Sequence, residues 1–345
     1  MTDKLNGRNR GTQKYLLSFA FASSIMFLYI VGSGWKQLTS LTAVLQIEQQ
    51  KTYEMAKRQS LGFFDDITET HWEIMRDRVR KRVNHCTDPQ NHCPKNPNQP
   101  ILRGQAGAYY QDNWEPDFTC QFERRIGGMG DGPKWVCDPH RITRDAEDAK
   151  DGCLVYSIGS NGQFRFEEKI LKDISPHCEV HTFDPEIQGR DFSIHAPDGV
   201  HYHAWGVENK RNVENENTDK KLPSGQYKTL QDTFKELGHA GRTIDIFKID
   251  CDGCEWTTFS DWFDAAKETN ITLRQILVEL HGVPKNADRI FEALQSEGYV
   301  TFHKEGNIKY PRNGKFYAIE YAMLKLDTSF FEGMDSAVEK FPPIV

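Results

Sequence analysis

The chain has 345 residues, enough for one large domain or two small ones; with 38% hydrophobic residues and a mean hydropathy of −0.66, most of it belongs in water. A net charge of −7 and an isoelectric point of about 6.0 exclude a protein that grips phosphate backbones over a broad surface, and no nucleic-acid partner is expected.

The first element is the exception to that solubility. Residues 15–35 carry no charged side chain, and their apolar run just reaches the roughly 20 residues a membrane span needs. Lys4, Arg8, Arg10 and Lys14 precede the run, opposed only by Asp3, so the positive-inside rule predicts a cytosolic tail over 1–14 and a single-pass signal-anchor over 15–35. A cleaved signal peptide is the alternative; its apolar core is usually about 7–15 residues, and no small-x-small cleavage site follows here. The anchor predicts that the remaining chain lies in the Golgi or ER lumen or outside the cell. There the eight cysteines become disulfide candidates and Asn270-Ile271-Thr272 a glycosylation sequon.

Residues 36–100 read as a stem. Leu38, Leu41, Leu45 and Met55 fall near heptad spacing, but Glu48 and Thr52 break the seam, which predicts a helical spacer; Pro89, Pro94, Pro97 and Pro100 then mark an extended linker. A single domain is expected over 101–345. Its first part, 101–150, reads as irregular. Gly127-Gly128-Met129-Gly130-Asp131-Gly132 lacks the Gly-Lys-Ser/Thr ending of a phosphate loop, which leaves a flexible turn between Cys120 and Cys137 or a lid over an active site.

From Cys153 onward, strands and helices alternate. Strands are predicted over 154–158, 179–183, 200–207, 243–249, 275–280, 299–303 and 316–324, and helices over 166–174, 230–237 and 287–296. The first strand runs into Gly159-Ser160-Asn161-Gly162, whose glycines permit close backbone approach to a cofactor; the second ends at Asp184, placed to bind a ribose diol. Cys153 and Cys178 precede Gly159 and Asp184 by the same number of residues. On neighbouring strands they lie level, as a disulfide requires, with buried free thiols the alternative. Cys251 and Cys254 lack the second pair that structural zinc needs. His195, His201 and His203 read as surface or packing residues, and Trp256, Phe259, Trp262 and Phe263 as a core-facing helical stripe.

Four segments in this order carry a family resemblance: Val155-Tyr156-Ser157-Ile158-Gly159, Phe183-Asp184-Pro185, Phe247-Lys248-Ile249-Asp250-Cys251-Asp252-Gly253-Cys254-Glu255-Trp256 and Gln275-Ile276-Leu277-Val278-Glu279-Leu280-His281-Gly282. Over roughly 110–325 the chain resembles the methyltransferase-like S-adenosylmethionine (SAM)-dependent enzymes, close to the FkbM-like branch. The resemblance implies an α/β fold, a Rossmann-like seven-stranded class I methyltransferase sheet, with SAM across the strand ends. It implies cofactor contacts from Ser157, Gly159, Ser160, Asn161, Gly162, Asp184, Trp205 and Asp250, with Asp250 facing the transferred methyl. Two departures stand out: Ser157 occupies a position that is usually acidic, and the loop holds two glycines where three are usual.

Methyl transfer to a hydroxyl needs a held acceptor and a proton acceptor. Asp250 and His281 are the candidate bases, and Glu255 a further candidate catalytic residue or a cap on the helix it opens. Asp250, Asp252, Glu279 and His281 form a candidate ligand set for Mg²⁺ or Mn²⁺. The leading expectation is O-methyl transfer to a glycan or other hydroxylated small molecule. Two alternatives remain open: a glycosyltransferase using Asp250-Cys251-Asp252 as an Asp-x-Asp metal element, and a non-catalytic binding protein on a methyltransferase scaffold.

Overall fold

The computed structural model describes residues 43, 67–84, 106–148, 152–185, 193–214, 226–309, 318–326 and 328–331. The expected tail, the anchor over 15–35 and the Pro-rich linker lie outside the described residues. Among the described residues no helix is long and apolar enough to cross a membrane. In chain order the elements are α1 (Glu69–Asn84), α2 (Ala106–Asp112), β1 (Arg124–Ile126), β2 (Lys134–Val136), α3 (Pro139–Asp148), β3 (Leu154–Ile158), α4 (Arg165–Asp173), β4 (Glu179–Phe183), β5 (Val200–His203), β6 (Gly206–Val207), α5 (Lys210–Glu214), β7 (Tyr227–Lys228), α6 (Leu230–Glu236), β8 (Thr243–Ile249), α7 (Cys254–Glu268), β9 (Thr272–His281), α8 (Asp288–Ser296), β10 (Tyr299–Asn307) and β11 (Ala318–Lys325).

Seven strands form one sheet in the order β10-β11-β9-β8-β3-β4-β5. β3, β4, β5, β8 and β9 pair in parallel, and only β11 runs against its neighbours. The chain builds outward from β3 through β4 to β5, then returns to the other side of β3 with β8. That reversal is a topological switch point, where open α/β sheets bind ligands at the carboxyl ends of the strands.

The central strands read as near-continuous apolar runs because both faces are covered. One face carries Tyr156, Phe247, Ile276 and Met323 in one row of paired residues and Ile158, Ile249, Val278 and Tyr321 in the next. These join Phe234, Trp262, Phe263, Ile290 and Phe291 of α6, α7 and α8 in the main core. Phe259, Trp262 and Phe263 are therefore core residues, as their spacing predicts. Side chains alternate along a strand, so the other face carries Ser157 beside Lys248 and, one row on, Glu279 beside Glu320.

That polar face receives the Lys134 side chain from a segment expected to be irregular. Residues 106–148 contain α2, the antiparallel β1–β2 hairpin and α3. Strands of three residues are too short to show a period-2 pattern, which is why the sequence hides them. The Gly127–Gly132 stretch is the hairpin's turn, and the Cys120–Cys137 disulfide ties the hairpin's flanks together. Two further disulfides join Cys153 to Cys178, as the level placement on β3 and β4 anticipates, and Cys251 to Cys254.

The expected strand over 200–207 is two. β5 stays in the main sheet, while β6 leaves it to pair with β7. Gly206 makes this possible: a Cβ there would lie 2.7 Å from the Tyr227 ring. Part of the stem is also more than a spacer. In α1, Trp72, Met75 and Val79 are buried at helical spacing, and the Trp72 ring meets Phe330 edge-on at 5.1 Å.

Candidate active site

At the switch point the ends of β3 and β8 touch. The Asp250 N–H donates to the Ile158 carbonyl at 2.9 Å, and the Gly159 N–H donates to the Phe183 carbonyl at 2.9 Å. A Cβ on Gly159 would stand 1.7 Å from the Asp250 carbonyl oxygen, and its φ is +83°, so glycine is required on two counts. Asn161 (φ +49°) and Gly162 (φ +70°) complete the turn.

Asp184 pins this turn from the next strand. Its carboxylate accepts from the Asn161 N–H at 2.5 Å and from the Ser160 hydroxyl at 3.4 Å, and its carbonyl accepts from the Tyr202 hydroxyl at 2.8 Å. Burial pushes its carboxyl up, against the backbone N–H groups of Asn161 and Ser160 and the charge of Lys248. Ser157 lies lower, fully buried within β3. The acid missing at that position has a neighbour: Glu167, in the first turn of α4, is wholly buried on the same side. Trp205 follows β5. The Lys228 ammonium sits 3.6 Å from its ring centroid, and its buried indole N–H has no partner among the described residues. A glycine turn, a carboxylate on the adjoining strand and an orphaned indole donor form a donor set that fits a nucleoside.

A charged centre lies beside this cradle. Lys134, delivered by β2, places its ammonium 3.1 Å from Asp250 Oδ2, 2.9 Å from Glu279 Oε2 and 3.0 Å from Glu320 Oε1. Lys248 donates to the Gly159 carbonyl at 3.0 Å and lies 3.9 Å from Asp250 Oδ2. Asn307 bridges Glu279 (2.8 Å) to Asp131 of the hairpin turn (2.9 Å). Burial works against ionising Asp250, but Lys134, Lys248 and His281 outweigh it and hold its carboxyl down at about 2. Burial dominates at Glu320, which rises to about 7 despite Lys134, helped by Glu279 and Asp250.

His281, at the end of β9, is clamped by Glu255. The carboxylate of this fully buried first-turn residue of α7 accepts from the His281 backbone N–H at 2.7 Å and meets its Nδ1 at 3.1 Å. Burial disfavours the imidazolium, yet Glu255, Asp250 and Glu279 raise His281 to about 9. That direction favours the imidazolium and works against a free base at this position. Glu255 positions a ring and caps a helix turn, also accepting from the Gly253 N–H at 2.9 Å. Trp256 donates to the His281 carbonyl at 2.8 Å.

The expected metal set comes together only in part. Asp250, Glu279 and His281 offer ligand atoms within 4.8 Å of one another. The space among Asp250, Glu279 and Glu320 is filled by the Lys134 ammonium, which already neutralises them as a cation would. Asp252 does not join: its side chain is 96% exposed, its φ is +54°, and it reaches only His281 Nε2 at 3.4 Å. Asp250 and Asp252 diverge because the turn between Cys251 and Cys254 sends one inward and the other to solvent. They do not form the paired carboxylates of an Asp-x-Asp element, and Lys134 already balances charge on Asp250 and Glu279.

Sequence reasoning missed Lys134, Lys248 and Glu320. Lys248 and Glu320 carry a readable signal, each a charge flanked by apolar residues inside a mostly apolar strand. Lys134, flanked by Pro133 and Trp135 in a short strand, carries none.

A glycine turn facing a strand-end carboxylate at the switch point of this sheet, with a charged centre beside it, is the arrangement of a methyltransferase domain. The chain belongs to the family Methyltransf_22, described as a methyltransferase domain, which it matches over residues 54–325. The finer placement near the FkbM-like branch is not part of that match. Among curated proteins no sequence matches the chain. Among solved structures it is similar to TrmK of M. capricolum in complex with S-adenosyl-homocysteine, at 13% identity and a TM-score of 0.27, over 54% of this chain and 67% of that one. It is also similar to a candidate tRNA (m1A22) methyltransferase of Streptococcus pneumoniae in complex with S-adenosyl-L-methionine, at 11% identity and a TM-score of 0.27, over 59% of this chain and 82% of that one.

Proposed function

We propose that the chain moves the methyl group of SAM onto the oxygen of a hydroxylated acceptor, a glycan or another small molecule. The observation that carries this reading is the position of Asp250. Its backbone seals the Gly159 turn, and its carboxylate enters the charged centre at the same end of the sheet. When bound, SAM supplies a sulfonium methyl open to in-line attack. The turn 159–162 and Asp184 hold the ribose side, and Trp205 flanks the base. Asp250, kept ionised by Lys134 and Lys248, accepts a hydrogen bond from the acceptor hydroxyl and orients its oxygen.

Methylation of the oxygen releases the hydroxyl proton. Neither His281, whose imidazolium is favoured, nor Asp250, held at about 2, retains it at neutral pH. The hydroxyl proton leaves to solvent. The domain is assigned to the lumen of the Golgi or ER or to the cell exterior, anchored by 15–35. Three disulfides among the described residues and an exposed Asn270 support this compartment. The net charge of −7 favours acceptors other than nucleic acid.

The test is titration calorimetry with S-adenosylhomocysteine and, separately, UDP plus Mn²⁺, followed by methyl transfer from labelled SAM to hydroxylated acceptors. Saturable binding of S-adenosylhomocysteine and label on an acceptor oxygen are expected. Binding of UDP alone would reinstate the glycosyltransferase, and binding without transfer to any acceptor would leave a scaffold that does not catalyse.

A further inference from the structure

A second polar cluster begins at the amino end of β4, five residues before Asp184. Glu179 Oε1 faces two imidazoles at once, His181 Nε2 at 2.9 Å and His239 Nε2 at 3.1 Å. The three donor atoms lie within 4.8 Å of one another. Tetrahedral ligands about 2.0–2.1 Å from Zn²⁺ stand roughly 3.3 Å apart, close to the spacing found here.

The surroundings match what ligating groups need. A metal-bound histidine has its other ring nitrogen held by a partner, and a ligating carboxylate is itself hydrogen-bonded. His181 Nδ1 meets His203 Nε2 at 2.8 Å, and His239 Nδ1 meets the Tyr156 hydroxyl at 2.6 Å. Arg242 pairs with the other Glu179 oxygen, leaving Oε1 to the imidazoles. His181 and His239 are buried, whereas the Glu179 side chain is one-third exposed, which leaves a side for a water ligand. Ligation requires neutral imidazole.

We propose that Glu179, His181 and His239 bind one divalent cation of the zinc class, with water in the fourth position, fastening the start of β4 to the turn after α6. The preference for zinc over magnesium follows from two imidazoles in a set of three. The site lies apart from the Asp250 centre and does not depend on the proposed methyl transfer. The competing arrangement uses no ion: both imidazoles donate N–H bonds to Glu179, and their Nδ1 atoms accept from His203 and Tyr156.

The experiment uses the full chain in detergent, without a polyhistidine tag, stripped with EDTA and titrated with Zn²⁺ and with Co²⁺. About one Zn²⁺ per chain is expected, with tetrahedral Co²⁺ bands in the visible spectrum and a Tm that rises with Zn²⁺. His239→Gln and His181→Gln each lose at least about ten-fold in Zn²⁺ affinity, as a lost ligand implies. Glu279→Gln, in the other acid cluster, retains it. If His181→Gln fails to fold, His239→Gln and the wild-type Tm shift decide. No uptake by the wild-type chain, or uptake abolished by Glu279→Gln but kept in His239→Gln, overturns the proposal.

Discussion

Lys134 and Asp250 stand 116 positions apart in the chain, and the ammonium of one lies 3.1 Å from the carboxylate of the other. This contact joins the amino-terminal hairpin to the switch point of the sheet. Lys134 also compensates Glu279 and Glu320, so three buried acids depend on one cation.

Lys134→Met removes that cation and leaves Glu320 without an ion-pair partner among the described residues, with only the longer 3.9 Å contacts of Lys248 to Asp250 and His281 to Glu279 remaining. Breaking a buried pair from one side costs about 3–5 kcal/mol, and urea unfolding of the variant should show a loss of that size. Glu320→Gln in the same background should recover part of it, because fewer charges are then stranded. A loss under about 1 kcal/mol would mean that the hairpin does not seat Lys134 as described.

Asp184→Ala removes the carboxylate that pins the Asn161 N–H and faces the cradle. Hydrogen bonds to a charged group contribute about 1.5–3 kcal/mol each, so S-adenosylhomocysteine affinity should fall by at least about ten-fold. Calorimetry that finds unchanged affinity would place the ribose elsewhere.

Asp250→Asn keeps the shape of the switch point and removes one charge. Cofactor affinity should stay within a few-fold of wild type while kcat falls by about 10²-fold or more, the scale of a lost positioning or proton-handling group. Equal losses in binding and turnover would make Asp250 part of the cradle alone.

His281 gives stability a signed pH dependence. Its folded value of about 9 lies above the reference value of about 6.5. The contribution of the imidazolium is therefore complete below about pH 6.5 and disappears as pH climbs through about 9. It is on the order of 3 kcal/mol. Urea unfolding between pH 6 and pH 10 should show this decline in the wild type and lose it in His281→Gln. A wild-type-to-variant gap that stays constant across the range contradicts the Glu255–His281 clamp.

Cys153→Ser with Cys178→Ser opens the bridge between β3 and β4, which closes a loop of 25 positions. Such a bridge contributes about 2–4 kcal/mol, and the Tm should drop accordingly while S-adenosylhomocysteine still binds. Intact Tm would mean that the parallel pairing alone holds those strands.

The sheet is readable in the chain because buried parallel strands announce themselves. Thr243–Ile249 is apolar except for Asp245 and Lys248, and Leu154–Ile158 ends on a glycine whose backbone no other residue can copy. The cradle follows from the same logic, since Gly159 and Asp184 both stand at strand ends. The break at Ala204-Trp205 is not readable, because leaving a sheet depends on whether Tyr227 is there to receive Gly206.

Periodicity and strand-end chemistry thus determined the sheet, the glycine turn facing Asp184 and the Cys153–Cys178 bridge, all of which depend on positions close along the chain or on adjoining strands. Tertiary structure alone decided the electrostatics. That Asp250, Glu279 and Glu320 share the Lys134 ammonium depends on charges that meet only when a hairpin over a hundred residues upstream folds onto the sheet. Coulomb energies in a buried site are set by distances of a few ångströms, and sequence separation carries no information about those distances.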